Sequence, residues 1–457
     1  MNLRAFIAVI VCKLLRFASR LLHRGGTAMP GRIALKICPT LLGILARDVK
    51  TVAITGTNGK TTTARMIEES FRLAGFDYLA NRSGANLISG ITTEFVVNST
   101  LAGRCRKKYA VIECDEAAAK RVFPQLKPQV VLVTNLFRDQ LDRYGEVTFT
   151  LSSIREAVRA IPDAVLCLNA DCSLTASLAD ELPNRVVRYG IDKGAAPSRK
   201  KPEISDATHC LHCKSEYEYD FISYAHLGSF RCPVCGYCRQ KADFAVTDIT
   251  EMRMDSSSLV MDILGEKHIV NVNLPAMYNI YNAAGALAAA YEMGIDPETA
   301  IEALSRFKCG FGRMETFRLG KAGTRMMLVK NPAGCNQVLD FLTHVREKFN
   351  LVVTLNDRAA DGTDISWIWD ADFEMLSSMS AWIENIVVAG DRAAELATRI
   401  KYAGMDSGRI RIERDYRKLV EWADAQDTPV FMMPTYTSML ELREAVIRHC
   451  GGDDFWV

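Results

Sequence analysis

Short apolar runs rich in β-branched residues recur along the chain from residue 49 onward, and helical stretches separate them. This alternation is typical of an α/β protein with a largely parallel sheet. The three clearest predicted strands are 49–55 (VKTVAIT), 108–114 (KYAVIEC) and 128–135 (PQVVLVTN). Each of them gives way to polar residues at its carboxyl end. Because a doubly wound sheet binds its ligands beyond the carboxyl ends of its strands, we predict a functional site there.

Two changes in this pattern divide the chain. Residues 196–242 are rich in Lys, Cys and Tyr and lack aliphatic periodicity, which indicates an insertion. Near residue 315 a fresh α/β series begins, with strands predicted within 325–331, 350–357, 384–391 and 429–438. We therefore predict three parts: an N-terminal helical segment (1–48), a central α/β domain (49–315) and a C-terminal, Rossmann-like α/β domain (316–457).

The first 23 residues are mostly apolar, but four basic residues interrupt them: Arg4, Lys13, Arg16 and Arg20. These charges argue against a membrane-spanning helix, and no clear signal-peptide cleavage site follows. Apolar residues recur at helical spacing: Phe6, Ile7, Ile10, Leu14 and Leu21. We predict an amphipathic helix that either packs on its own protein or lies on an anionic membrane surface. Both alternatives suit a cytoplasmic location, the second of them at the inner face of the membrane.

A glycine-rich loop, GTNGKTT (56–62), lies between the predicted strand 49–55 and a helical segment. Gly56 and Gly59 permit a tight turn, and its backbone N–H groups, together with the N-terminus of the following helix, favour the binding of phosphate. Lys60 adds positive charge, and Thr61 can bind Mg²⁺. The loop is a compact variant, because the first glycine of GxxxxGK[ST] would fall at Ile54. We predict a nucleoside triphosphate site, with a simple helix-starting turn as the alternative. Its residues are Gly56, Thr57, Asn58, Gly59, Lys60, Thr61 and Thr62.

Four of the fourteen cysteines form two CxxC pairs with 18 residues between them: Cys210, Cys213, Cys232 and Cys235. Four thiolates at this spacing suit a tetrahedral structural Zn²⁺ without an open position for catalysis. We therefore predict a zinc ribbon at 205–240. Three nearby side chains are alternative ligands: Cys238, His209 and His212. Redox CxxC chemistry is one alternative function, and nucleic-acid binding, suggested by SRKK (198–201) and the spacer aromatics, is another.

Composition and charge restrict the class of protein further. The 457 residues allow about three domains, and 49% hydrophobic with 24% charged residues is typical of a folded protein. A net charge of +2 gives no general attraction for nucleic acid. Nine cysteines lie outside residues 210–238 without a repeating framework, which argues against a disulfide-stapled secreted protein.

Five segments occur in the order in which they occur in the Mur ligases and folylpolyglutamate synthases, and the chain resembles that family. They are TGTNGKTT (55–62), ECDEA (113–117), TNLFRDQLDRYGE (134–146), YNIYNAAGALAAA (278–290) and GFGRME (310–315). The resemblance implies ATP as the nucleotide and Glu113 as a Mg²⁺ ligand, with Asp115 and Glu116 nearby. Gln140 replaces the histidine usual in the third segment, which leaves the number of Mg²⁺ ions open.

The same resemblance implies two further nucleotide contacts. Asn282 would lie beside the adenine, with Asn279 one helical turn earlier, and Arg313 would contact the nucleotide or its γ-phosphate. Taken singly, Glu113 could instead cap a helix and Asn282 could serve in helix packing.

Near-neutral charge and Asn282 argue against a P-loop ATPase that binds nucleic acid, which is one rival function. A Mur or folylpolyglutamate-type ligase that adds an amino acid is the other.

Three features resemble a particular branch of the family, the synthetase subunits of bacterial lipid II isoglutaminyl synthases. First, only some fifty residues precede the loop, which is too few for the nucleotide-sugar domain of Mur ligases. Second, a Cys₄ ribbon follows the loop. Third, the C-terminal domain carries NDRAADGTDISWIWD (356–370). The resemblance implies that ATP phosphorylates the D-glutamate α-carboxylate of the lipid II stem peptide. Ammonia from a GatD-type glutaminase subunit then attacks the acyl phosphate, and the product is D-isoglutamine. The resemblance implies no nucleic-acid partner.

In that branch an aspartate of the C-terminal domain completes the catalytic triad of the glutaminase. Four acids qualify here, Asp357, Asp361, Asp364 and Asp370, and Asp364 is our candidate, with caps and turns as the alternative role. Together with Lys60 and Glu113 it makes up the predicted catalytic set. LVKNPAGCNQ (328–337) takes the place of the Mur substrate loop, so Lys330 and Asn331 are candidate substrate contacts. If this chain had a glutaminase nucleophile of its own, Cys335 would be the candidate, because it lies in a polar segment.

Overall fold

The computed structural model describes residues 3–21, 28–81, 85–138, 147–180, 182–195, 198, 206–308 and 313–451, without the side chains of Arg20, Leu21 and Arg313. The chain divides into two compact units. The first comprises Met1–Phe137 and Val147–Phe307, and the second comprises Arg138–Glu146 and Lys308–Val457. The predicted N-terminal segment 1–48 is part of the first unit. The sequence placed the domain boundary after residue 315, a few residues beyond the division at 307.

The described residues of the first unit form eleven strands. They are β1 (Lys50–Thr55), β2 (Tyr78–Ala80), β3 (Tyr109–Glu113), β4 (Val130–Val133), β5 (Val165–Asn169), β6 (Val186–Ile191), β7 (Glu218–Tyr224), β8 (Leu227–Arg231), β9 (Phe244–Met252), β10 (Ser257–Ile263) and β11 (Glu266–Val272). Its helices are α1 (Leu3–Leu21), α2 (Ala28–Ile37), α3 (Leu41–Ala46), α4 (Lys60–Leu73), α5 (Ile88–Val97), α6 (Ala119–Leu126), α7 (Val147–Arg159), α8 (Ser173–Ala176), α9 (Met277–Glu292) and α10 (Pro297–Arg306).

Nine of these strands make one sheet in the order β11-β10-β9-β6-β5-β4-β1-β3-β2. The pairs from β9 to β2 are parallel, whereas β10 is antiparallel to both of its neighbours, β9 and β11. Strand β1 is buried in five of its six residues between β3 and β4, which explains its nearly continuous apolar run. The predicted α/β class and parallel sheet are confirmed.

Helix α9 packs on the sheet through small residues. A Cβ placed on Gly285 would lie 3.0 Å from Cζ of Tyr189 and 3.2 Å from Cδ1 of Leu132, so the glycine permits close contact between helix and sheet. Alanines fill six of the other twelve buried positions of this helix. The small-residue pattern of the sequence therefore reflects a short distance between α9 and the strands beneath it.

In the described part of the second unit a six-stranded sheet has the order β12-β13-β17-β14-β15-β16. Its strands are β12 (Arg313–Phe317), β13 (Thr324–Met327), β14 (Phe349–Thr354), β15 (Ile383–Ala389), β16 (Ile410–Ile412) and β17 (Val430–Pro434). The helices are α11 (Pro332–Thr343), α12 (Met375–Ser378), α13 (Ala393–Tyr402), α14 (Tyr416–Asp424) and α15 (Tyr436–Cys450). All strand pairs except β12–β13 are parallel.

The insertion contains a separate two-stranded hairpin formed by β7 and β8. Its aromatic residues make a small core, in which Tyr217 and Phe230 are buried beside Cys210 and Cys232. Tyr217 and Tyr219 of the spacer thus belong to the small core of the ribbon. None of the described helices has the length and apolar character needed to cross a membrane.

Candidate functional site

The phosphate loop begins directly after β1, and both of its glycines are required by the backbone. Gly56 has φ of 117° and Gly59 has φ of 87°, values in the left-handed region that favours glycine. Space is also limited at both positions. A Cβ on Gly56 would lie 2.4 Å from Oγ1 of Thr134, and a Cβ on Gly59 would lie 2.2 Å from Oδ1 of Asn282. The N-cap residue of α4 is Gly59, which has no side chain with which to cap the helix that starts at Lys60. The loop therefore keeps the open helix terminus on which an anion can bind.

Residues 134–137, just beyond β4, hold the loop in place. The backbone oxygen and side-chain oxygen of Asn135 accept hydrogen bonds from the N–H groups of Thr57 (2.9 Å) and Asn58 (3.0 Å), and its Nδ2 donates to the Asn58 carbonyl (3.1 Å). Oγ1 of Thr57 donates to the Phe137 carbonyl (3.2 Å) and accepts from its N–H (3.1 Å). Sequence reasoning missed this role, although the 134–146 segment that it identified contains both Asn135 and Phe137.

Lys60 is the first residue of α4 and is largely buried. Its Nζ donates to the carbonyl oxygens of Gly56 (2.5 Å) and Thr57 (3.3 Å) and forms a 2.7 Å ion pair with Oε1 of Glu116, which is also buried. The predicted phosphate-binding ammonium therefore lies at the loop, with a carboxylate as its counter-ion. Sequence reasoning placed Glu116 only nearby.

Thr61 and Glu113 provide two hard oxygen atoms beside the loop. Oγ1 of Thr61 donates to Oε2 of Glu113 over 2.8 Å. Asn81 fixes the Glu113 backbone in both directions, because its Oδ1 accepts from the Glu113 N–H (2.9 Å) and its Nδ2 donates to the carbonyl (2.8 Å). Asp115 differs in that its Oδ1 accepts from the N–H groups of Ala117 (3.0 Å) and Ala118 (3.1 Å) ahead of α6. Hydroxyl and carboxylate oxygens are the ligands that Mg²⁺ prefers, so Thr61 and Glu113 suit this ion.

Helix α9 brings Asn282 to the loop. Asn282 is buried, its Oδ1 is adjacent to Gly59, and its Nδ2 donates to Oδ1 of Asn279 (3.3 Å). Asn279 donates in turn to the Pro275 carbonyl (2.7 Å). The remaining predicted nucleotide contact, Arg313, begins β12, but its side chain is outside the described part of the chain, as are Gln140 and the rest of 139–146.

The four predicted ribbon cysteines form one cluster. Their sulfurs all lie within 4.8 Å of one another, and the shortest separations are 3.5 Å for Cys210–Cys235 and 3.3 Å for Cys213–Cys232. Tetrahedral zinc with Zn–S bonds of about 2.3 Å requires S···S distances of about 3.8 Å, so the cluster fits this ion. The thiols of the cluster differ in pKa: hydrogen bonds from Ser215 lower that of Cys213 to about 6, whereas, against a backbone hydrogen bond from Tyr237, desolvation and hydrogen bonds with the other cysteines raise that of Cys235 to about 12.

The alternative ligands of the sequence analysis lie outside this cluster. Among the described residues, only the four CxxC cysteines meet the geometry of a metal group, and neither Cys238, His209 nor His212 belongs to it. Nε2 of His212 instead lies 3.2 Å from Oδ2 of Asp180.

The turn of the ribbon hairpin packs against Phe137, one of the residues that hold the phosphate loop in place. The His226 ring lies 4.7 Å from the ring of Phe137, between centroids, and the Tyr224 ring stacks on it at 5.9 Å. His226 and Phe137 are both almost completely buried. Because the Phe137 backbone holds Thr57, a continuous chain of contacts joins the ribbon to the phosphate loop.

A buried polar network fastens the same ribbon to the sheet. Asp171 accepts from Nε of Arg239 (2.5 Å), from the Tyr281 hydroxyl (2.5 Å) and from the Ile191 N–H (2.8 Å), and the Tyr281 hydroxyl also lies 2.7 Å from Oγ of Ser223. Burial raises the pKa of Asp171 even though Arg239 opposes the shift. Tyr281 precedes Asn282 in α9, so this network also supports the helix that reaches the loop.

In the second unit, three of the four candidate aspartates have strong partners. Asp357 forms an ion pair with Arg392 (2.7 Å), Asp361 accepts from the N–H (2.7 Å) and hydroxyl (2.5 Å) of Thr437, and Asp370 lies 3.3 Å from Arg138. Asp364 is half-buried, and its Oδ1 accepts from the Ser366 N–H (2.8 Å) at the start of a 3₁₀ turn over Ser366–Trp369. Its Oδ2 has no partner among the described residues.

Two further candidate residues, Asn331 and Cys335, lie in the interior of this unit. Asn331 is buried and caps α11 by accepting from the Gly334 N–H (2.8 Å). Cys335 is fully buried, and burial raises its pKa to about 12, so it does not provide a reactive thiolate. Trp369 is exposed and packs on Tyr402, whereas Trp367 is half-buried.

Two family models match the chain. The model described as Mur ligase middle domain matches residues 54–233, and the model described as MurT ligase C-terminal matches residues 328–439. The first match covers the phosphate loop, the Glu113 segment and most of the ribbon. The second covers the 356–370 segment that carries the candidate aspartates.

The similarity to two relatives covers nearly the whole chain. The subunit MurT of lipid II isoglutaminyl synthase (glutamine-hydrolyzing) from Streptococcus pneumoniae is 34% identical over 97% of this chain and 97% of its own length. Its counterpart from Staphylococcus aureus is also 34% identical, over 98% of this chain and 99% of its own. A UDP-N-acetylmuramate–L-alanine ligase from Bordetella pertussis is 27% identical over 63% of this chain and 50% of its own.

Solved structures share the fold at lower identity. A pseudomurein peptide ligase type C from Methanothermus fervidus matches 88% of this chain and 79% of its own with a TM-score of 0.65 and 22% identity. MurF from Acinetobacter baumannii matches 92% of this chain and 80% of its own with a TM-score of 0.67 and 16% identity. These likenesses establish that the architecture is that of Mur ligases.

Proposed function

The chain belongs to the MurT family of Mur-ligase-like proteins, and from this membership we propose that it is the synthetase subunit of a lipid II isoglutaminyl synthase. It is an ATP-dependent ligase of the Mur type that amidates a peptidoglycan precursor. In this proposal the D-glutamate α-carboxylate of the lipid II stem peptide becomes an acyl phosphate, and ammonia converts this to D-isoglutamine. The similarity at 34% identity over 97% of the chain carries the proposal.

The loop geometry supports a phosphoryl-transfer role for the first unit. A carboxylate oxygen leaves poorly in substitution by ammonia, whereas phosphate leaves readily, so the reaction needs an activating nucleotide. We propose that residues 56–62 bind the phosphates of ATP, that Lys60 offsets charge on the transferred phosphoryl group, and that Thr61 and Glu113 hold Mg²⁺. When bound, Mg²⁺ would neutralise phosphate charge and align the phosphoryl group. Asn282 and Arg313 complete the proposed nucleotide contacts.

Glu116 has a defined part in this proposal. It balances the charge of Lys60 while the loop holds no phosphate, because a buried ammonium without a counter-ion is costly. The arriving phosphates would compete with Glu116 for the ammonium. The 2.7 Å ion pair is therefore the contact that bound phosphates would have to displace.

For the ribbon we propose a structural Zn²⁺ held by Cys210, Cys213, Cys232 and Cys235. Four thiolates leave no open coordination position, so the ion would stabilise the hairpin without taking part in the reaction. The burial of the ribbon aromatics supports this structural role, since side chains in a small core are not available to stack on nucleic-acid bases.

The nitrogen source would be a separate GatD-type glutaminase subunit. Ammonia is mostly protonated near pH 7, so local delivery favours the reaction, and the buried Cys335 does not provide a glutaminase nucleophile. We propose that Asp364 completes the triad of that subunit by orienting its histidine. The uncommitted Oδ2 of Asp364 supports this choice, whereas Asp357, Asp361 and Asp370 are engaged in ion pairs or hydrogen bonds.

Transfer of isotope-labelled oxygen tests the proposed reaction. With lipid II labelled in the D-glutamate α-carboxyl, ATP and an ammonium salt, one labelled oxygen is expected in each phosphate released. Unlabelled phosphate would exclude the acyl phosphate. Phosphate release that requires an amino acid and proceeds without ammonium would instead favour the amino-acid ligase alternative. Since lipid II is a membrane lipid, we place this activity at the inner face of the cytoplasmic membrane.

A further inference from the structure

The outward face of α1 is an apolar stripe. The stripe comprises Leu3, Phe6, Ile7, Ile10, Leu14 and Phe17, which at about 100° per residue fall within an arc of about 100° and extend over about 21 Å. Five of these six side chains are exposed, with Leu3 at 73%, Leu14 at 62% and Phe17 at 65%. Such a run of large apolar side chains in water is unfavourable unless another surface covers it.

The opposite face of α1 is already used within the protein. Ala5, Ala8, Val9 and Cys12 are fully buried where α1 packs on α2 and α5. Nζ of Lys13 donates to the carbonyl of Ser99 (2.7 Å), just beyond the end of α5. The helix is therefore fixed with its small side chains inward and its large apolar side chains outward. This orientation shows that the stripe is not the face by which α1 attaches to its own unit.

Charge identifies what covers the stripe. Residues 1–48 contain eight Lys and Arg and one Asp, a formal charge of +7, whereas residues 49–457 contain 48 Lys and Arg and 53 Asp and Glu, a charge of −5. The basic groups include the exposed Arg4 of α1 and the exposed Arg32 and Lys36 of the adjacent α2. The described residues of α1 and α2 include cationic and no acidic side chains, and an apolar stripe on such a basic pair of helices complements a bilayer with anionic head groups.

We propose that the outer stripe of α1 docks this enzyme on the anionic surface of a membrane, with the helix axis in the plane of the interface. The apolar side chains enter the boundary between head groups and acyl chains, and the basic groups contact lipid phosphates. The inference rests on the proposed function to the extent that a lipid-linked substrate gives such docking a purpose. Docking would keep the enzyme at the surface where that substrate is anchored.

Vesicle flotation with the purified full-length chain tests this proposal. The chain is expected to float with vesicles that contain phosphatidylglycerol, less at high salt, and weakly with pure phosphatidylcholine. The Leu14→Gln/Phe17→Gln variant should lose about tenfold or more of its affinity for the anionic vesicles. Leu264→Gln/Ile269→Gln, which changes two exposed apolar residues of the first unit outside the helix, should float as the unaltered chain does.

Two results would overturn the proposal: no flotation of the unaltered chain with either vesicle, or equal flotation of the Leu14→Gln/Phe17→Gln variant. A dimer that this variant dissociates, without vesicle binding, would assign the stripe to a second copy of the chain. Amidation of detergent-solubilised lipid II with ammonium gives a separate readout, in which both variants should match the unaltered chain. Loss of vesicle binding with retained amidation contradicts only the docking, and vesicle binding without amidation contradicts only the proposed function.

Discussion

At the phosphate loop, Lys60 has two kinds of partner, the carbonyls of Gly56 and Thr57 and the carboxylate of Glu116. The sequence predicted the lysine and both glycines because their roles depend on local geometry, a left-handed turn followed by a helix. It did not predict the ion pair, because Glu116 is 56 residues away and reaches the loop only through the pairing of β1 with β3.

Replacing Lys60 separates catalysis from stability. Lys60→Met should lower kcat for ATP-dependent amidation by about 10²-fold or more, because charge on the transferred phosphoryl group loses its partner. It should also lower the free energy of unfolding by about 1–3 kcal/mol, since the buried Glu116 loses the ammonium that balances its charge. Steady-state kinetics and urea unfolding measure the two effects.

The matched control for this substitution is the double variant Lys60→Met/Glu116→Gln. It should recover most of the lost stability and none of the activity, because the uncompensated charge is gone but the ammonium is still missing. Full turnover by either variant would remove Lys60 from the mechanism.

Asp364 gives a second prediction at the level of single residues. With the glutaminase partner present, Asp364→Asn should reduce glutamine-dependent amidation by about 10²–10⁴-fold, because the amide no longer stabilises a histidine cation. Amidation driven by ammonium salts should be unchanged. Asp415→Asn is a suitable control, since Asp415 also accepts a backbone N–H two residues ahead, that of Arg417 at 2.9 Å. An equal loss with glutamine and ammonium would show that Asp364 serves the fold or the synthetase reaction instead.

Among the elements, the ribbon shows what spacing reveals and what it does not. Two CxxC pairs predict a four-thiolate cluster because the ligand geometry fixes the spacing within each pair. The position of the hairpin turn, with His226 and Tyr224 against Phe137, depends on packing between segments some ninety residues apart. Apolar and aromatic residues in a sequence do not specify such partners, so this contact was found only in the structure.

This contact predicts that zinc in the ribbon influences the phosphate loop. Cys210→Ser/Cys213→Ser should release the metal, lower the melting temperature and weaken ATP binding by roughly three- to tenfold, because a loosened hairpin no longer supports Phe137 and its hydrogen bonds to Thr57. Metal analysis, thermal unfolding and nucleotide titration measure these effects. Cys105→Ser/Cys450→Ser, outside the cluster, should change none of them. Unaltered ATP affinity after complete zinc loss would show that the ribbon and the loop are independent.

At the scale of the whole molecule, composition identified a folded multi-domain protein, and the hydrophobic pattern identified the α/β class of both units. Their division near residue 307 follows from contacts in three dimensions, which a pattern of apolar residues along the chain does not report. The uneven charge, +7 over residues 1–48 in a chain of net +2, is visible in the sequence but gains meaning from the exposed face of α1.

The source of nitrogen is a property of the complete molecule. Because no described cysteine combines exposure with a histidine partner, the purified chain should form no isoglutamine from glutamine alone but should do so with an ammonium salt. The ammonium-dependent rate should rise with pH from 7 to 9, since only the unprotonated ammonia is a nucleophile and its share of the total grows with pH. Adding the glutaminase subunit should remove much of this pH dependence for glutamine, because ammonia is then delivered before it meets bulk solvent. Mass analysis of the product across this pH range measures both rates, and efficient use of glutamine by the chain alone would contradict the assignment of the glutaminase to a partner.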